Sequence, residues 1–271
     1  MPLSIDFPGL FLADTITKLP GDAGGCVVLT GSHGGRYPGY LAAIGGARGA
    51  IFNDAGIGKD EAGVAALADL ERISIPAATV SCMSCRIGDA SDALARGTVS
   101  RMNAQAKLLG VLPGLSCRRA AAALRAAHMG EAEPQPFGEA RSELPVASGR
   151  RILFLDSASL VRPEDRAQIV VTGSHGGLVG GDPAAALRVE AFAAVFNDAG
   201  EGIDGAGFSR LPPLDIRGIA AFTVAAASAR IGEARSTYAD GTVSRANETA
   251  RRLGVRAGEP ALSAIHRLAQ M

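Results

Sequence analysis

The tightest constraint on this chain is a six-residue string that occurs twice. Thr30-Gly31-Ser32-His33-Gly34-Gly35 returns letter for letter as Thr172-Gly173-Ser174-His175-Gly176-Gly177. A second pair of strings follows, Phe52-Asn53-Asp54-Ala55-Gly56 and Phe196-Asn197-Asp198-Ala199-Gly200. The match extends to Asp14 with Asp156, Asp60 with Asp204, Arg86-Ile87-Gly88 with Arg230-Ile231-Gly232, and Asn103 with Asn247. Self-similarity at so long a period points to two tandem copies of one unit, about residues 9–117 and 151–259.

The apolar runs that lead into these strings are continuous rather than alternating, and helical patterns separate them. Both features indicate parallel sheets covered on both faces. The expected fold is α/β: two tandem homologous repeats, parallel sheets flanked by helices, and lobes related by a pseudo-twofold. Residues 1–130 and 151–271 would form the lobes, with 131–150 as linker. Strands are expected at 11–16 and 152–156, into each six-residue string, at 49–52 and 193–196, and at 76–81 and 221–225. Helices are expected at 40–44 and 183–189, 60–70 and 204–211, 99–109 and 243–253, 119–128 and 261–270.

Charge narrows the partners. Lys plus Arg equals Asp plus Glu, and the pI is near 6.9, whereas a nucleic-acid binder usually carries a basic surplus. No apolar run is long enough to span a membrane, and the first residues do not look like a secretory leader, so a cytoplasmic location is expected. The four cysteines all lie in the first half and form no disulfide framework. Cys82 and Cys85 have redox-motif spacing, but Ala226 and Ala229 stand at the matching positions, so they are taken as packing residues.

In parallel α/β sheets, ligands bind at the carboxyl ends of the strands. The shared strings would put Ser32, His33, Asn53, Asp54 and Arg86 there, with Ser174, His175, Asn197, Asp198 and Arg230 from the second copy. His33 and His175 are candidate acid/base groups, each with Asp54 or Asp198 as partner. The amides of Gly34, Gly35, Gly176 and Gly177 are candidates to cradle an anion, and Arg86 and Arg230 to clamp it. Ser32, Asn53, Ser174 and Asn197 would add polar contacts. The copies differ after Asn-Asp-Ala-Gly, where Lys59 and Glu201 would make the site asymmetric, one as a positive charge and one as a base.

The glycine spacing fits neither a dinucleotide fingerprint nor a Walker loop, and no metal-ligand spacing is diagnostic, so neither cofactor nor metal is expected. The expected function is a cofactor-independent hydrolase on a small anionic metabolite bearing an amide or carboxylate. A racemase or isomerase with mirrored acid/base groups, or a non-catalytic small-molecule binding protein, are the alternatives. Oligomeric state is left open, with a homo-oligomer allowed.

Overall fold

A computed structural model describes residues 8–20, 23–130, 132–144 and 149–271. The chain is α/β, with two mostly parallel sheets flanked by helices. The first sheet has the order β1 (Leu10–Ala13), β2 (Val27–His33), β3 (Gly49–Asn53), β4 (Ala77–Val80), β5 (Val99–Met102). Its helices are α1 (Arg36–Ile44), α2 (Ala66–Arg72), α3 (Ala90–Arg96), α4 (Ala104–Leu108) and α5 (Cys117–Leu124).

The second sheet runs from β6 (Arg141–Leu144) through β7 (Ile152–Leu155), β8 (Ile169–His175), β9 (Ala193–Asn197) and β10 (Ala220–Val224) to β11 (Val243–Ala246). With it go α6 (Leu211–Ile216), α7 (Ala234–Ala239), α8 (Glu248–Arg252) and α9 (Ala261–Ala269). No helix among the described residues is long and apolar enough to cross a membrane.

Strand residues alternate between faces, and here both faces are covered. Val27, Leu29 and Ile51 pack under α3 and α5, with Ala93 and Leu124. Val28, Ala50 and Phe52 pack on the other face, against Ala42 of α1 and Leu67 and Leu70 of α2. Small residues such as Ala42 and Ala66, both fully buried, let helix and sheet approach closely.

Several expectations need correcting. The sheets are not wholly parallel: β5, β6 and β11 pair antiparallel at their edges. Residues 99–102 and 243–246, expected as helix starts, are β5 and β11. Their Val-Ser-Arg run passes from a buried valine to an exposed arginine two residues on, because a register shift at Thr79/Val80 and at Thr223/Val224 interrupts the strand alternation. The helix begins only after Asn103 and Asn247. Asn103 Oδ1 accepts from the Ala106 N–H as an N-cap and also from the Ala77 N–H at the start of β4, both at 3.0 Å. One asparagine thus starts a helix and pins the strand beside it.

The helix expected from residue 60 opens instead with tight turns over Lys59–Val64, where Asp60 and Glu61 take φ of 53° and 55°, and becomes α2 only at Ala66. The helix expected at 183–189 is one turn, Pro183–Ala185. Within the stretch expected as linker, residues 141–144 form β6 and widen the second sheet.

The halves of the chain meet through reciprocal contacts. The Lys59 N–H donates to the Ala226 carbonyl and the Ile203 N–H to that of Cys82, each at 2.8 Å. Arg86 pairs with Asp204, and Arg230 with Asp60, each at 2.9 Å. Ala55, Ile87, Ala199, Ala206 and Ile231 form an apolar cluster between them. At its centre Gly56 and Gly200 face each other with φ of 71° and 74°; a Cβ on either would lie 2.6 Å from the other's Cα. Only glycine meets both demands there.

That geometry gives a controlled test. Gly110 has φ of 82° and nothing within 4 Å of an added Cβ, so Gly110→Ala should cost only the left-handed backbone term of about 1–2 kcal/mol. Gly200→Ala carries the same term plus the collision with Gly56, and its urea midpoint should reflect a further loss of at least about 1–3 kcal/mol. Equal losses in the two variants would mean that the halves do not meet at these glycines.

Candidate functional site

The six-residue strings build a specific strand end. β2 pairs with β3 in simple register up to Leu29 with Ile51, then resumes at His33 with Asn53; β8 does the same between Val171 and His175. The extra residues form a bulge, a device that re-aims side chains at strand ends. The bulge is held by its neighbours: Gly88 and Gly232 donate their N–H groups to the Gly31 and Gly173 carbonyls, each at 2.8 Å. Gly31 has to be glycine because a Cβ would lie 2.7 Å from the Asp14 carbonyl oxygen.

Beyond the bulge, Ser32 and His33 from one half and Ser174 and His175 from the other line a single cleft of about 180 Å³ between the sheets. A side pocket of about 230 Å³ shares His33, Tyr37 and Glu139 as walls and reaches Asp60 and Arg230.

Other sequence candidates lie elsewhere. Asn53 and Asn197 are buried; their amides donate to the carbonyls of Cys85 and Ala229, and their Oδ1 atoms accept from Ala55 and Ala199. Asp54 Oδ1 accepts the N–H groups of Gly56 and Cys82 at 3.0 and 2.9 Å, and Asp198 takes those of Gly200 and Ala226 at the same distances. The anticipated His–Asp pairs do not form, because these carboxylates are occupied by backbone.

Nor does the glycine loop offer free amides. Gly34 and Gly176 donate to the carbonyls of Asn53 and Asn197, continuing the ladder, while Gly35 and Gly177 donate to the histidine rings. Arg86 is engaged with Asp204, and Arg230 with Asp60 and Glu233. Lys59 pairs with Asp240 at 3.0 Å, and Glu201 is exposed; neither borders the cleft.

The histidines are fixed in one orientation. The Gly35 N–H donates to His33 Nδ1 at 3.1 Å and the Gly177 N–H to His175 Nδ1 at 3.2 Å. An Nδ1 that accepts carries no proton, so the neutral ring bears its hydrogen on Nε2. Burial lowers His33 from an ordinary 6.5 to about 4. His175 falls well below the usual value through burial first, then through the nearby Arg210 and His33. Both rings are therefore neutral near pH 7 and act as Nε2–H donors. Ser32 and Ser174 also line the cleft; their Oγ atoms accept the N–H groups of Ile16 and Ala158, leaving each hydroxyl its own proton to donate.

Two cleft residues escaped the sequence reading. Glu139, in the stretch expected as linker, is raised from 4.5 to about 7, first by burial and then by Asp156, with Ser157 opposing. Arg210 is 5% exposed, and burial lowers it to about 10. Both lack a counterpart in the matched strings; Arg210 aligns with Ala66. Among the described residues, no three His, Cys, Asp or Glu side chains gather as metal ligands. Compared with protein-family models, curated proteins and solved structures, the chain matches none.

The imidazoles set a pH dependence. Their folded pKa values lie below the unfolded one, so the unfolded chain binds more protons and stability is lost as pH falls below 6.5, for His33 down to about 4. Glu139 has the opposite sign: its contribution is present below 4.5 and lost as pH rises through about 7. In His33→Asn, Oδ1 can still accept the Gly35 amide while nothing titrates. Urea unfolding between pH 4 and 6.5 should show a shallower acid limb than wild type. An unchanged limb would mean that His33 is not held neutral.

Proposed function

We propose that the chain is a tandem duplication with halves related by a pseudo-twofold, and that the cleft between them is the site of a cofactor-independent hydrolase. Its substrate would be a small anion carrying an amide or related acyl group. The reciprocal Arg86–Asp204 and Arg230–Asp60 pairs and the glycine contact at Gly56 and Gly200 support the symmetry.

One observation carries the enzymatic reading: the paired, neutral, Nδ1-locked imidazoles bordering one cleft beside a carboxyl that titrates near 7. Fixed donors aimed at developing negative charge are the strongest common source of rate enhancement in acyl transfer. Here the Nε2–H groups of His33 and His175 would stabilise the oxyanion of a tetrahedral intermediate, with the serine hydroxyls as further donors. Glu139, ionised above about pH 7, would take a proton from the attacking water and return it to the leaving nitrogen. The histidines thus serve as electrophiles rather than as bases, since protonating Nδ1 would oppose the glycine amide already pointing at it.

The test is a screen of small amides and cyclic amides bearing a carboxylate, followed by kinetics on any substrate found. Wild-type kcat/KM should rise with pH and level off above about 7. Glu139→Gln should lose about 10²–10⁴-fold and the rising limb with it. His175→Asn, which keeps the Gly177 contact but loses the cleft donor, should lose about 10²–10³-fold in kcat. Deuterium entering carbon without hydrolysis would replace the hydrolase by an isomerase. Saturable binding without turnover would replace both by a binding protein.

A further inference from the structure

Arg210 is a buried cation that pairs with no carboxylate among the described residues. Its Nε donates to the Gly177 carbonyl at 2.9 Å, and Nη1 donates to those of Ala186 at 2.5 Å and Ala185 at 3.5 Å. Its guanidinium carbon sits 5.1 Å from the centre of the Phe196 ring. These are neutral partners, and Nη2 donates to no group among the described residues. An unpaired charge at 5% exposure is costly unless something negative meets it. The side chain lines the cleft beside His175, whose pKa it depresses, so the open side of the guanidinium borders space a ligand can enter.

We propose that Arg210 anchors a ligand carboxylate in this cleft, with Nη2 as its donor, while the His175 Nε2–H stays with the acyl oxygen. The assignment rests on the cleft being the substrate site, and it names what the reading above leaves open: which end of the substrate carries the charge, and what holds it. Shape selects the ligand class. The cleft's other charges offset one another, Lys18 and Arg188 against Asp156 and Asp182, and a carboxylate has the planar form that a guanidinium fork matches. The carboxylate would lie on the second half's side, leaving the acyl group of the same molecule toward the imidazoles and Glu139. In the first half Ala66 stands at the position matching Arg210, and the other cations lining the cleft, Lys18 and Arg188, are exposed, so the buried anchor lies on one side and the ligand binds in one direction.

The test is equilibrium binding, which does not depend on turnover. Acetate, malonate, succinate and benzoate, each paired with its neutral amide, are titrated by calorimetry at constant ionic strength. At least one acid should bind saturably and at least about tenfold more tightly than its amide. Arg210→Gln should lose that preference, while Lys59→Gln, which changes a cation outside the cleft, should keep it. Because Arg210 also supports the carbonyls at 177, 185 and 186, Arg210→Gln could fail to fold. Ala185→Glu then decides, by placing a tethered carboxylate on the cleft wall beside Arg210: it should raise the melting temperature and abolish acid binding. The proposal is overturned by no acid outbinding its amide, by an acid preference that persists in folded Arg210→Gln, or by Ala185→Glu binding acids as wild type does. Acid binding without any turnover would leave this anchor standing and remove the hydrolase.

Discussion

The structure depends on how backbone amides are satisfied where the strands end. Buried N–H groups require partners, and at the carboxyl ends of β3 and β9 the chain turns sharply away from the ladder. Asn53 and Asn197 each take the N–H two residues on, and Asp54 and Asp198 each take one N–H of their own loop and one of the loop after the next strand. A carboxylate accepting two amide hydrogens is a strong, directional tie. These ties fix the loops whose glycines, Gly56 and Gly200, press the halves together.

This explains which parts of the site the sequence made legible. The matched strings correctly located polar residues at strand ends, and Ser32, His33, Ser174 and His175 do border one cleft. Spacing could not distinguish a polar group that faces a ligand from one that completes the backbone, because both sit at the same strand ends and use the same residue types. Asn53, Asp54 and the glycine amides are of the second kind. The ion pairs of Arg86 and Arg230 were not legible for a related reason: their partners, Asp204 and Asp60, lie in the opposite half of the chain. The α/β class and most strands were legible from apolar runs. β5 and β11 were not, because a bulge breaks the alternation of four-residue strands that lead directly to the N-caps Asn103 and Asn247.

Reading two matched strings also selects what the halves share and hides what they do not. The most consequential differences are unmatched. Where the first half has α1, the second has an irregular stretch between Leu178 and Val189 with a single short turn. Carbonyls that a helix would satisfy internally are left over there, and the Arg210 guanidinium takes two of them along with that of Gly177. The irregular stretch and the buried arginine go together: where Ala66 packs against α1, Arg210 bridges a loop. The stretch joining the halves supplies the second asymmetry, with β6 on the edge of the second sheet and Glu139 at the cleft.

These asymmetries decide how the cleft responds to pH. Histidine is the side chain expected to change charge between pH 5 and 8, and two of them line this site. Yet a glycine amide aimed at each Nδ1, together with burial, keeps both rings neutral, in His33 down to about pH 4. Arg210, though lowered, remains charged to about pH 10. Glu139, raised to about 7 by burial and by Asp156, is the group that gains its charge in the physiological range. The matched histidines therefore supply constant donors, and the variable charge comes from Glu139, in the stretch between the matched strings. One carboxyl and one arginine without counterparts make the cleft asymmetric: the buried cation lines it with His175, and the carboxyl shares a side pocket with His33.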